Sequence, residues 1–210
     1  MSVLITSVLV GCGILVGRLI ARGSSKEEKP PQDAAEPENK DDVKPKEPAR
    51  ERAPNLDAFP CKLGDVVLRS TGEEAWLAGA IVLREGDEPA AVVYFSPEAG
   101  GDRAVLARPA SQEITWLAEE KGVTVPLGEP PTALEAGTDR YERRRRLPLR
   151  AERFGSGAPD LGRDVILAEY TGLGDDCLVV LATKERVVAF RGPSLGAGAY
   201  DVLPGKLTAS

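Results

Sequence analysis

Seven arginines lie between Arg140 and Arg153, four of them consecutive at Arg143, Arg144, Arg145 and Arg146, with only Glu142 and Glu152 as acids in that window. A guanidinium is a planar, permanently charged fork of N–H donors that matches phosphate and carboxylate oxygens, so the pattern is one for recognising anions. Its surroundings sharpen the contrast. Residues 59–210 carry 18 basic and 23 acidic side chains, and outside the arginine window the balance is −10. A segregated field of this kind attracts phosphates, anionic lipid headgroups or a partner's acidic surface. Consecutive strand residues alternate faces, so about half of the four adjacent arginines are expected to share a surface. A solvated edge strand, charged against aggregation, explains the same run. Arg140, Arg143, Arg144, Arg145, Arg146 and Arg150 are the candidate ligand-binding residues. Nucleic acid fits less well than lipid headgroups, because the region is net acidic and its few aromatics fall at core positions.

Other chemistry finds little support in the residue types. The chain has no histidine, which removes Ser-His and Cys-His dyads, histidine metal sites and the commonest general base near neutral pH. Cys61 and Cys177 are far apart and no CxxC occurs, so a zinc knuckle is not expected. Gly196, Ala197 and Gly198 lead into Tyr200 and Asp201 rather than to the third glycine of a dinucleotide fingerprint, and read as turns. The paired carboxylates in Gly172–Asp176 lack the alternating ligands of a calcium loop and read as a solvated hairpin tip. An enzyme using Asp65, Glu73 or Glu169 has no motif behind it. No catalytic residue, metal or cofactor is expected.

The elements that must position these residues begin with an apolar run. Val3–Ala21, with Arg18 as its single charge, would rise about 28 Å as a helix, close to the thickness of a bilayer's hydrocarbon core. Residues 1–22 are therefore expected to form a transmembrane anchor rather than a cleaved signal, since no basic n-region precedes the run. Leu9–Cys12 resembles a bacterial lipobox, but Cys12 comes early and is followed by Ile14, Leu15 and Val16. Arg18, Arg22, Lys26 and Lys29 all lie on the C-terminal flank and no side chain is basic on the N-terminal one, which places the rest of the chain in the cytoplasm and the N-terminus outside. The chain is thus expected to be a single-pass membrane protein, with the bilayer as its partner through residues 3–21. Gly13 and Gly17 have the small-xxx-small spacing that lets two such helices approach, so a homodimer is an option.

Residues 23–58 change composition completely. Lys26–Pro54 holds six prolines, no aromatic residue and Val43 as its single aliphatic larger than alanine. Such a stretch cannot bury enough apolar area to offset its ordering entropy, and reads as a disordered linker reaching at most on the order of 100 Å.

Residues 59–207 have the size and pattern of one β-rich globular domain. Strands are expected at Asp65–Arg69, Ala75–Arg84, Ala90–Phe95, Ala104–Arg108, Glu113–Glu119, Tyr141–Leu149, Val165–Tyr170, Leu178–Thr183 and Val187–Arg191. A single helical turn is expected at Thr132–Ala136, where Thr132 and Glu135 have capping-box spacing and Gly137 supplies a stop. The run Ala104–Ala107 before Ile114–Ala118 echoes Val165–Ala168 before Leu178–Ala182, compatible with two similar halves. The fold class expected is all-β, a barrel or sandwich. Trp116 is expected in its core.

Cys61–Val67 has the form l-G-D-x-V, Trp76–Leu83 the form y-x-V-x-G-x-i with Gly79 in the glycine position, and Ile114–Glu120 the form W-L-x-x-E. A looser echo follows in Tyr141, Arg153, Phe154, Gly155, Glu169, Tyr170, Leu181 and the turn at Arg191 and Gly192. Over Pro60–Val202 the chain resembles the domain of unknown function 4178 family. That resemblance implies an SH3-like barrel arrangement and a bacterial origin, and brings no established activity and no catalytic residue. The expected function is a non-catalytic interaction or scaffold module that works with an unknown membrane-associated protein. The alternative is a domain that binds anionic lipid headgroups or phosphorylated ligands through its arginines.

Overall fold

A computed structural model describes residues 55–97 and 103–205. The expected anchor, most of the linker, Cys12, Gly13 and Gly17 lie outside the described residues. Among those residues no helix is long and apolar enough to cross a membrane.

The chain forms β1 (Val66–Arg69), β2 (Glu74–Trp76), β3 (Gly79–Glu85), β4 (Glu88–Ser96), β5 (Arg103–Ala107), β6 (Ile114–Glu119), β7 (Ala133–Ala136), β8 (Asp139–Gly155), β9 (Asp164–Thr171), β10 (Asp176–Ala182), β11 (Val187–Leu195) and β12 (Tyr200–Leu203). Two meanders, β3-β4-β5-β6 and β8-β9-β10-β11, join through β6–β11 and β3–β8 into a closed antiparallel barrel of eight strands. Closure removes the free edges that an open sheet of this size would present. The strand β7 extends the barrel sheet beyond β8, and β12-β1-β2 form a separate three-stranded sheet.

Alternation along each strand sends one set of side chains inward. Ile81, Leu83, Val93, Phe95, Leu106, Leu117, Leu167, Val179, Leu181 and Phe190 fill the barrel, with Ala158 and Leu161 of the segment after β8 packed into the same cluster. The opposite faces of β3–β6 are also apolar, because Ala80, Val82, Tyr94, Val105 and Trp116 pack against Val67 and Ala75 of the three-stranded sheet and against Leu56 and Phe59. Burial on both faces is why these strands read as continuous apolar runs rather than as strict alternation. Outside β9–β11, Ala168, Tyr170, Leu178 and Val180 are covered by Leu134, Ala136 and Tyr141, with Val123 and Val125 against them.

The two seams that no hairpin makes are closed through glycine. At β3–β8, Gly79 faces Gly155 in register, and a Cβ on Gly79 would stand 2.0 Å from the Ser156 carbonyl oxygen. At β6–β11, a Cβ on Gly192 would stand 1.9 Å from the Trp116 carbonyl oxygen. Both are close backbone approaches that only glycine permits.

Four expectations need correction. Thr132–Ala136 is no helical turn: Ala133–Ala136 is the strand β7, whose Leu134 pairs with Tyr141 and is buried with it. Pairing to an over-long β8 outweighs a local capping signal. The expected strand Ala75–Arg84 is broken at Leu77 and Ala78, where the chain leaves the three-stranded sheet for the barrel; Leu77 N–H donates to Asp65 and Ala78 N–H to Phe95. The strands expected to end at Leu149 and Arg191 run on to Gly155 and Leu195, so Arg191 and Gly192 are strand rather than turn, and β12 lies beyond the expected strands. Finally, the residue echo links β5–β6 with β9–β10, whereas in two successive meanders the topological counterpart of β5 is β10.

Candidate functional site

The 17 residues of β8 carry all seven arginines of the sequence window, and a bulge decides which faces they occupy. Register with β9 slips between Arg143, opposite Tyr170, and Arg145, opposite Glu169. The extra residue makes Arg143 and Arg146 neighbours on one face instead of Arg144 and Arg146. Both reach one carboxylate: Arg146 donates to Glu129 through Nε at 2.7 Å and through its terminal nitrogen at 2.6 Å, and Arg143 lies 3.4 Å from the same group. Arg143 also donates to the Pro130 carbonyl at 2.5 Å. These bonds hold Glu129 below the usual carboxylate range, the Arg146 hydrogen bond contributing most. Two of the four consecutive arginines are therefore tied to the segment 129–130. Arg140 lies 3.8 Å from Glu142. Arg144, Arg145, Arg150 and Arg153 are exposed and make no ion pair with another described residue.

The structure adds two arginines that no sequence pattern marks. Arg84, at the end of β3, is directly opposite Arg150 in register, and Arg163 lies just before β9. The three line one cavity of about 270 Å³. Arg84 donates to Glu152 at 2.9 Å and to the Asp87 carbonyl at 2.7 Å. Arg163 makes no ion pair with another described residue. Beside this cavity, sharing the same three arginines, runs a groove of about 830 Å³.

The candidate carboxylates are dispersed over separate partners. Asp65 accepts the N–H groups of Lys62 at 2.8 Å and Gly205 at 3.1 Å, pinning the loop before β1 to the segment after β12. Glu73 binds Arg69 and Arg103. Glu169 shares the inward face of β9 with Leu167 and pairs with Arg108, while its second oxygen, Oε1, is buried without a partner among the described residues. The hairpin tip expected at Gly172–Asp176 is the turn 172–175 between β9 and β10, with Leu173, Gly174 and Asp175 exposed, but Asp176 is already the first residue of β10. It accepts from the Tyr141 hydroxyl at 2.5 Å and from Arg191 Nε at 2.9 Å, and Arg191 continues to Asp139 at 2.8 Å.

Both described thiols are kept protonated. Burial, with Asp65 nearby, pushes Cys61 up to about 12. Cys177 is raised by burial first and then by Asp176, Glu169 and Glu113. An acidic neighbourhood is the opposite of what activates a nucleophilic cysteine.

A third surface is apolar. In cross-strand register Leu203, Val66 and Trp76 form one row across the three-stranded sheet, and Trp76 and Leu203 are exposed. Compared with known proteins, the chain matches no protein-family model, no curated protein sequence and no solved structure.

Proposed function

We propose that this chain is a single-span, membrane-anchored, non-catalytic interaction module whose domain faces the cytoplasm and recognises an anionic partner through β8. The observation that carries the reading is the set of exposed arginines Arg144, Arg145, Arg150 and Arg153, which make no ion pair with another described residue in a domain otherwise rich in acids. Apolar side chains fill most of the barrel interior, so recognition falls to the exposed positions of β8. An expected span at residues 3–21 and a linker of about 35 residues would keep that surface within reach of a bilayer. The row Leu203, Val66 and Trp76 favours a second reading, in which a protein partner covers the three-stranded sheet.

Changing Arg144, Arg145, Arg150 and Arg153 together to Gln tests the first reading. Exposed charges contribute little to folding, so the far-ultraviolet spectrum and thermal midpoint of a fragment spanning residues 55–207 are expected to stay close to those of the unmodified fragment. Retention on vesicles containing phosphatidylserine is expected to fall at least about tenfold, since each cation near an anionic surface is worth roughly 1 kcal/mol. Unchanged retention would remove β8 as the recognition surface.

A further inference from the structure

Three guanidiniums in one cavity of about 270 Å³ repel one another, and Arg84 and Arg150 are placed directly opposite on neighbouring strands. Glu152 and the Asp87 carbonyl answer Arg84 alone, leaving Arg150 and Arg163 without an ion-pair partner among the described residues. An anion seated between them would relieve that repulsion, and a dianion would answer both. The shared border with the larger groove adds a second requirement. Pro148, Leu161 and Ile166 line that groove, giving it an apolar floor beside the cationic end. Its volume of about 830 Å³ lies within the range of pockets that enclose a small organic ligand, roughly 300–1,000 Å³.

We propose that the cavity of Arg84, Arg150 and Arg163, with its adjoining groove, binds a phosphate monoester that carries an apolar chain. The proposal rests on the anion-recognition reading above and names the ligand class. Inorganic phosphate alone would leave the apolar floor wet, and an uncharged amphiphile would leave Arg150 and Arg163 unanswered. Bidentate donation from guanidinium forks suits a phosphate better than a single carboxylate. The acids on the groove, Glu85, Glu129, Asp164 and Glu185, disfavour a ligand with several phosphates. Asp164 stands opposite Arg150 in register without an ion pair to it, so its charge opposes that of an anionic ligand there.

The test uses the full-length chain in phosphatidylcholine nanodiscs, with empty discs subtracted, and reads binding of hexyl phosphate and of inorganic phosphate by ³¹P nuclear magnetic resonance. Hexyl phosphate is expected to bind at least about tenfold more tightly than inorganic phosphate, because part of its chain leaves water. Arg163→Gln, which lies off β8, is expected to weaken hexyl phosphate about tenfold, while Asp164→Asn strengthens it. Equal affinity for the two probes, or no effect of Arg163→Gln, would overturn the proposal. Adding phosphatidic acid to the disc separates the two sources of this chemistry. Competition with hexyl phosphate identifies a bilayer lipid as the occupant, and unchanged affinity a soluble ligand. Failure here is distinct from failure of the broader reading: if hexyl phosphate does not bind while Arg144→Gln with Arg145→Gln abolishes vesicle preference, the pocket is wrong and β8 remains the recognition surface.

Discussion

Replacing Trp116 with alanine is expected to destabilise the domain by about 3–5 kcal/mol. Trp116 is 5% exposed and packs in the cluster between the barrel wall and the three-stranded sheet. Its loss opens a cavity that strands on both sides, fixed by their ladders, can only partly collapse to fill. Two cations add to the effect: the guanidiniums of Arg69 and Arg103 lie 5.6 Å and 5.7 Å from the ring centroid. Those contacts are worth roughly 0.5–1 kcal/mol each at partly exposed sites. Against a typical total stability of about 5–15 kcal/mol, the variant should unfold at a much lower urea midpoint. A change below about 1 kcal/mol would mean that the ring does not hold the two layers together.

The second large effect is expected at a residue with no side chain. Gly192→Ala would put a Cβ 1.9 Å from the Trp116 carbonyl oxygen and 3.0 Å from its carbonyl carbon. Neither atom belongs to a flexible side chain, so β6 and β11 must move apart at the seam that closes the barrel. The cost is expected to reach about 3 kcal/mol or more, at the upper end for overpacked sites. Slowed amide exchange across the pairs Arg191 with Ala118 and Ser194 with Thr115 should be lost first. Gly196→Ala is the control, because nothing lies within 4 Å of the position its Cβ would take. Its effect should stay within about 0.5 kcal/mol.

Much of the barrel was legible because its strands are apolar on both faces. Ile81–Leu83, Val92–Phe95, Val105–Ala107 and Leu178–Leu181 are buried regardless of which way each residue points, so the runs stand out without alternation. What escaped was set by partners distant in sequence. The break at Leu77 and Ala78 cannot be read locally, since Leu77 is itself fully buried and the change of sheet is made by bonds to Asp65 and Phe95. Thr132–Gly137 carries a helix-like local signal, yet its conformation is fixed by Tyr141 and its neighbours on β8.

The site was only half legible for the same reason. Composition marked the arginine run, but the bulge after Arg143 reassigns faces, and Glu129 then occupies Arg143 and Arg146. Arg84 and Arg163 are isolated arginines in the sequence, 66 and 13 positions from Arg150 by the numbering. Only the β3–β8 and β8–β9 ladders bring them to one cavity.

Flotation of the 55–207 fragment with vesicles is the most direct test of anion recognition through β8. Bound fraction should be compared between phosphatidylcholine alone and phosphatidylcholine with phosphatidylserine, at low ionic strength and again with added salt. The expected result is clear preference for the anionic vesicles at low salt, fading as the Debye length shrinks from about 30 Å at 0.01 M to about 8 Å at 0.15 M. Equal binding to both vesicle types at low salt would contradict it.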